Sequence, residues 1–378
     1  MPATVIDVAR ADDVRDVVHR AVQALAEGKL VGLPTETVYG AAASATHPDA
    51  VSRLAEAKGR GDRTPFALAV KSADDAEDYA PGWNPMARRL ARRCWPGPVT
   101  LVVDANRDEG LVGRLPESTL RRVCPEGTIG LRSPANELVQ AILRMLAGPV
   151  VLTSANRAGR PDATTAAQCV EALGDSLDLV LDDGPSRYGQ PSSVVRVTSE
   201  GLEVLREGVV GRPTLERLSR YIVVFICTGN TCRSPMAEVL MRRRLAQRLR
   251  VADDELEARG VMVASAGIAA GPGSPASPEA VELMKEQGLS LAAHASQQLS
   301  EHLVRHADLL VAMTPSHVES VVSLWPEAAG RVKLLDPSGG PIADPIGGPI
   351  DVYRRCAEQI DALVERLAGR VVAELGAN

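Results

Sequence analysis

Apolar residues recur every three or four positions through DVRDVVHRAVQALAEG, which predicts an amphipathic helix ended by Gly28; the run KLVGLP that follows predicts a strand. PFALAV, PVTLVVD, GPVVLTS, LDLVLDDG and SSVVRV predict further strands, with helical patterns between several of them. This first part is α/β or α+β, and its sheet order is not readable. At RPTLERLSR the pattern turns polar, and YIVVFICTG then starts a fresh β-branched run leading into a Gly-containing loop and the helix SPMAEVLMRRRLAQRL. The restart puts a boundary near residues 211 to 219, with one domain at 1–212 and another at 220–378. Beyond it, VMVASAG, PEAVELMKEQG, ADLLVAMT, HVESVVSL, RVKLL and the long VYRRCAEQIDALVERLAGRVVAEL alternate strand and helix, which predicts a parallel sheet with helices on both faces. There is no internal repeat, and GPGSPASP reads as a short loop.

A chain of 378 residues is long enough for two or three domains at roughly 150 residues each. Its 45% hydrophobic and 24% charged residues are ordinary globular usage. The net charge of -6 argues against a broadly basic surface for nucleic acid, and the Arg88 to Arg93 run reads as a solvated helix face. The start, MPATVIDVARADDVRD, lacks the basic-then-apolar pattern of a signal peptide, and no stretch approaches the roughly 18 apolar residues of a membrane span, so a cytoplasmic protein without membrane partners is expected. Six scattered cysteines lack zinc-site spacing; no metal site is expected, and most of them read as buried reduced thiols.

The chemistry concentrates first in VFICTGNTCRSPMAE, where Cys227 and Arg233 stand six positions apart between a strand and a helix. A loop at a helix N-terminus presents backbone N–H groups that cradle an anion, and the same field stabilises a sulfur anion at Cys227. Arg233 can hold two phosphate oxygens with its planar fork, and Gly229 and Asn230 tolerate left-handed backbone. Alone, the pair would read as a strand-end thiol and a surface charge. The run CTGNTCRSPMAE, with SAGI, ADLLVAMT and IADPIGGPIDVY after it, resembles the low-molecular-weight protein tyrosine phosphatase family over roughly residues 220–378. The resemblance implies a Rossmann-like parallel-sheet fold, no cofactor, and a phosphate-binding loop of Thr228, Gly229, Asn230, Thr231, Cys232 and Ser234 around the catalytic Cys227 and Arg233. It implies Asp344, in Asp344-Pro345, as the proton donor in preference to the competing Asp336-Pro337, and Ser234 as the hydrogen-bond partner of the nucleophile. Cys232 is a candidate for a reversible disulfide with Cys227. Thr231 resembles the protein-arginine-phosphatase branch, and Ile346 replaces an aromatic platform, so phosphoarginine is favoured over phosphotyrosine on protein substrates.

In the first part, PTETVYG, AKGR at 57–60, WPGPVTLV, LTSANRAGRP, GQPSSVV and LREG occur in an order that resembles the YrdC-type L-threonylcarbamoyladenylate synthases over roughly residues 10–210. That family implies a twisted α/β sheet with a positively lined cavity. It also implies formation of threonylcarbamoyl-AMP from threonine, bicarbonate and ATP, with Mg2+ accompanying the nucleotide, and tRNA reached indirectly through a transferase complex. Lys58 and Arg60 place two cations as a triphosphate requires. Thr35, Thr153, Ser154 and Asn156 lie in polar turns suited to orienting phosphate, adenine or threonine. Arg132 suits a carboxylate and Ser192 a phosphate, while Thr100 and Arg206 complete the candidate ATP and threonine set. The chain departs from the family's usual residues at Ala41, Ala42, Ala69, Asn136 and Arg196. The leading expectation is a bifunctional enzyme. The alternatives are a phosphatase carrying a noncatalytic RNA- or nucleotide-binding module, and a C-terminal arsenate reductase.

Overall fold

A computed structural model describes residues 3–59 and 64–375, and the chain divides between Glu216 and Arg217 into two compact units. The first is built on a ten-stranded mixed sheet: β1 (Thr4–Asp7), β2 (Val31–Leu33), β3 (Gly40–Ser44), β4 (Ala67–Ala69), β5 (Val99–Asp104), β6 (Thr128–Arg132), β7 (Val150–Ser154), β8 (Leu179–Asp182), β9 (Ser193–Thr198) and β10 (Gly201–Arg206). Their spatial order is β1-β8-β2-β3-β7-β4-β6-β5-β9-β10.

One face of this sheet is covered by helices. The helix Val14–Ala26 is capped by Asp13, whose side chain accepts from the Arg15 N–H at 2.9 Å, and is followed by Gly28 in the left-handed region. Its buried stripe of Val17, Val18, Ala21 and Leu25 packs with Leu138, Val139 and Ile142 of the helix Glu137–Met145, over Val31, Leu33, Val150 and Leu181 of the sheet. Burying each of the Val, Leu and Ile side chains among them contributes about 1.5–3 kcal/mol.

All six strands expected from apolar runs form, and β1, β3, β6 and β10 are additional. Of these β3, GAAAS, is the least expected, because alanine favours helix; it forms because β2 and β7 pair with it on both sides and all five residues are buried. Gly40 is required by close approach: a Cβ there would lie 2.6 Å from Leu152 Cδ1 and 3.3 Å from the Thr153 carbonyl. The arginine run corrects an expectation. Arg88 is exposed and paired with Glu77, but Arg89 and Arg93 are buried, since on the helix Pro85–Cys94 they share the side of Leu90 and Ala91 rather than the solvent side.

The second unit holds a parallel four-stranded sheet, ordered β12-β11-β13-β14, from β11 (Tyr221–Cys227), β12 (Val261–Gly267), β13 (Leu309–Ala312) and β14 (Val332–Leu334). Strand β11 is apolar throughout because both its faces are covered. Val223 and Phe225 pack with Leu240 and Met241 of the helix Arg233–Leu249 and with Ile360 and Val364 of the helix Ile350–Glu374. Ile222, Val224 and Ile226 pack on the opposite side with Val304 and Val321. With β12 on one side of β11 and β13 on the other, the carboxyl end of β11 is the topological switch point, where such sheets open a crevice for ligands. Cys227 is its last residue. Among the described residues no helix is long and apolar enough to cross a membrane.

Candidate active sites

The loop after β11 turns back over Cys227 and enters the helix Arg233–Leu249. Its carbonyls are engaged by the surrounding chain: those of Cys227, Thr228 and Thr231 accept from the N–H groups of Ile268, Ala269 and Ser277, and that of Asn230 from His294 Nε2 at 2.7 Å. With the carbonyls so turned, the loop's N–H groups and the helix N-terminus are the dipoles left to face an anion. Asn230 takes the left-handed conformation at φ 55° and is fully buried. Its N–H donates to Cys227 Sγ at 3.2 Å, and its Nδ2 to Ser234 Oγ and Ser265 Oγ at 2.9 Å each. Its Oδ1 accepts from the Gln297 N–H at 2.9 Å.

Ser234 Oγ lies 3.0 Å from Cys227 Sγ, and Arg233, itself buried, donates to the Ile342 carbonyl at 3.1 Å and pairs with Asp344. Arg233 Nε is buried without a hydrogen-bond partner among the described residues. Asp344 thus comes to the loop while the competing Asp336 is held in its own turn by Ser338. Cys232 Sγ lies 3.4 Å from both Ser277 Oγ and Tyr353 Oη, and all six cysteines are free thiols. Thr231 Oγ1 lies 3.6 Å from Cys232 Sγ, Gly229 has open space at its α-carbon apart from Thr231 Oγ1 at 3.6 Å, and Ile346 is exposed.

Sequence reasoning did not single out Ser265, His294, Gln297 or His317, because each reaches the loop from a distant segment. His317 Nε2 is 3.0 Å from Thr228 Oγ1, and burial, reinforced by the nearby Arg233 charge and opposed by Asp344, pulls its pKa down to about 4. The ring is therefore neutral near pH 7.

In the first unit, Thr35, Thr100, Arg132, Thr153, Ser154, Ser192 and Arg206 line one cavity of about 410 Å³ on the sheet face away from the core helices. The period of two along the strands puts them there: Gly130 and Arg132 of β6, Thr100 and Val102 of β5, and Val194 and Arg196 of β9 all face it. Arg132 meets a carboxylate from its own chain. It donates to Glu36 Oε1 at 2.7 Å, Thr37 Oγ1 at 3.0 Å and the Gly97 carbonyl at 3.1 Å, and Glu36 is held in turn by the Ala135 N–H. Thr35 Oγ1 bonds Thr37 Oγ1 at 2.8 Å. Thr100 and Ser192 hydroxyls are 3.0 Å apart, and Arg206 donates to the Ser192 carbonyl at 2.8 Å. Burial, with Arg132 nearby and Asp162 opposing, pulls the Arg206 pKa down.

Lys58 and Asn156 stand beside this cavity rather than among its lining. Lys58, at the end of the helix Pro48–Lys58, is buried and donates Nζ to the Ser154 carbonyl at 2.6 Å and to Asn156 Oδ1 at 2.8 Å. Ser154 Oγ donates to the same Asn156 oxygen at 2.6 Å. In this arrangement Lys58 shapes the TSAN turn. Arg60 lies outside the described residues. Glu36 and Thr37 escaped sequence reasoning although they directly follow Thr35, because nothing local says that Arg132 would fold against them.

Residues 23–208 match the Sua5/YciO/YrdC family described as telomere recombination, and residues 222–377 match the low molecular weight phosphotyrosine protein phosphatases. The second part is 39% identical to a protein-arginine-phosphatase of Geobacillus stearothermophilus over 158 residues, 41% of this chain and 98% of that protein. The first is 35% identical to a putative threonylcarbamoyl-AMP synthase of Mycobacterium tuberculosis over 204 residues, 54% of this chain and 88% of that protein. It is also 35% identical to the threonylcarbamoyl-AMP synthase of Pyrococcus abyssi, of whose length it spans 54%. A solved structure of P. abyssi Sua5 shares the fold, with a TM-score of 0.51 and 22% identity over 88% of this chain and 98% of that one. The chain belongs to both families, a Sua5/YrdC domain followed by a low-molecular-weight phosphatase domain.

Proposed function

We propose that the chain is a bifunctional enzyme whose second unit hydrolyses phosphoarginine, and less readily phosphotyrosine, on proteins. The convergence of Arg233 and Asp344 on the loop of Cys227 carries this reading. Cys227 attacks phosphorus, a P–S bond forms, and the bond to the leaving nitrogen or oxygen breaks as Asp344 delivers a proton to it. Water then attacks the phosphocysteine with Asp344 as base, which restores the thiolate and releases phosphate. Arg233 and the loop N–H groups hold the phosphoryl oxygens throughout. The polar Thr231 and the absence of an aromatic at Ile346 suit a guanidinium leaving group better than a phenyl ring. Steady-state kinetics on matched phosphopeptides test this: a clear kcat/KM preference for phosphoarginine, reduced by Thr231→Ile, is expected, and preferential cleavage of phosphotyrosine unaffected by that change overturns it. An arsenate reductase would need a shuttle thiol, and burial pushes Cys356 up to about 12.

For the first unit the proposal is synthesis of threonylcarbamoyl-AMP from threonine, bicarbonate and ATP, the nucleotide entering as its magnesium complex, in service of tRNA modification by a separate transferase. The cavity that gathers Thr35, Arg132, Ser192 and Arg206 supports it. Pyrophosphate release that requires all three substrates is the expected result. ATP binding without such release would leave a nucleotide-binding module instead.

A further inference from the structure

The cavity of the first unit contains a cation that neither the core nor the rest of the site uses. Arg196 lies on β9 in line with Val194 and Ser192, and all three face the cavity. At about 3.3 Å per residue, Arg196 is roughly 13 Å along the chain from Ser192. In register it lies beside Val102 of β5, which pairs with Gly130 of β6. Gly130 carries no side chain, so the floor in front of the guanidinium is low.

The other cations around the cavity have protein acceptors: Arg132 has Glu36, Arg206 has Ser192, and Lys58 has the TSAN turn. Arg196 differs. Its Nε is buried without a hydrogen-bond partner among the described residues. Two carboxylates are near enough in the fold to matter. Glu203 is its cross-strand neighbour on β10 and Glu126 lines the same cavity, yet neither forms an ion pair with it. A partly desolvated guanidinium with an unmade hydrogen bond is unfavourable by itself and becomes favourable when a ligand supplies the acceptor.

Charge balance points to the ligand. Arg132 is neutralised by Glu36, which leaves Arg206 and Arg196, among the described residues, as the lining arginines without a carboxylate partner. A single amino-acid carboxylate needs only one cation, whereas a triphosphate needs several, and Arg forks match phosphate oxygens. Resting on the nucleotide reading of this cavity, we propose that Arg196 binds the polyphosphate chain of the nucleoside triphosphate, which extends along β9 away from Ser192.

Calorimetric titration of the full chain with ATP and with AMP, alongside the threonine KM in pyrophosphate release, tests this. Arg196→Ala should weaken ATP binding about tenfold, change AMP binding little and leave the threonine KM unchanged. Arg196→Lys should recover most of the loss and, by keeping the charge and the stem, guards against misfolding of the alanine variant. Equal ATP affinity in Arg196→Ala and the parent, equal weakening of AMP and ATP, or a rise in the threonine KM alone would each overturn the assignment. If the unsubstituted chain takes no ATP, the nucleotide reading of the cavity fails first, and the role of Arg196 with it.

Discussion

Arg233 and Asp344 are bound to each other over the loop that carries Cys227, the guanidinium almost wholly buried and the carboxylate 39% exposed at its side chain. In the proposed mechanism Arg233 grips the phosphoryl oxygens and Asp344 moves a proton. On that proposal, arrival of a phosphate dianion gives Arg233 a stronger bidentate partner and releases Asp344 to act on the leaving group.

Asp344→Asn therefore keeps the shape and loses the proton. It is expected to lower kcat about 10²- to 10⁴-fold with little change in KM, and to lose less with substrates whose leaving group needs no proton. A uniform loss across leaving groups would mean that Asp344 only anchors Arg233.

Asn230 joins left-handed backbone to three side-chain hydrogen bonds. Asn230→Ala should cost about 2–4 kcal/mol by chemical denaturation and impair turnover. Asn230→Gly relieves the backbone strain alone and should fall between the alanine variant and the parent. An alanine variant as stable as the parent contradicts this role.

Much of this second site was legible in the sequence because its chemistry is local: Cys227, Arg233 and the helix they introduce occupy one continuous stretch, and β11 reads as a strand from its unbroken apolar run. What could not be read are the long-range supports, Ser265, His294, Gln297 and His317, which gain meaning only when the parallel sheet brings distant loops together. The first unit is less legible for the same reason. Its cavity draws on seven strands, β3 is written in alanine, and the Arg132 charge is balanced by Glu36 from almost a hundred residues away.

His317 makes stability depend on pH. Its folded pKa of about 4 lies below the ordinary value of 6.5, so the unfolded chain binds more protons between those limits. The associated stability is fully present above pH 6.5 and is lost as pH falls toward 4, by up to about 3 kcal/mol. Denaturation of the parent and of His317→Gln across that range should show a shallower acid loss in the variant; parallel curves would exclude His317 as the source.

The Glu36 and Arg132 side chains form a buried pair, 8% and 10% exposed. Glu36→Ala strands the guanidinium and should destabilise the first unit by on the order of 3 kcal/mol, lowering its melting transition by about 10 °C. An unchanged transition would show that the pair is not formed in solution.

The central claim is that Cys227 becomes covalently phosphorylated during turnover. Rapid acid quench of the Asp344→Asn variant with radiolabelled phosphosubstrate, followed by peptide mapping, tests it most directly. Label should appear on the peptide containing Cys227 and vanish in Cys227→Ala, whose ATP-dependent pyrophosphate release stays intact. Label on any other residue, or turnover that survives in Cys227→Ala, would contradict the account.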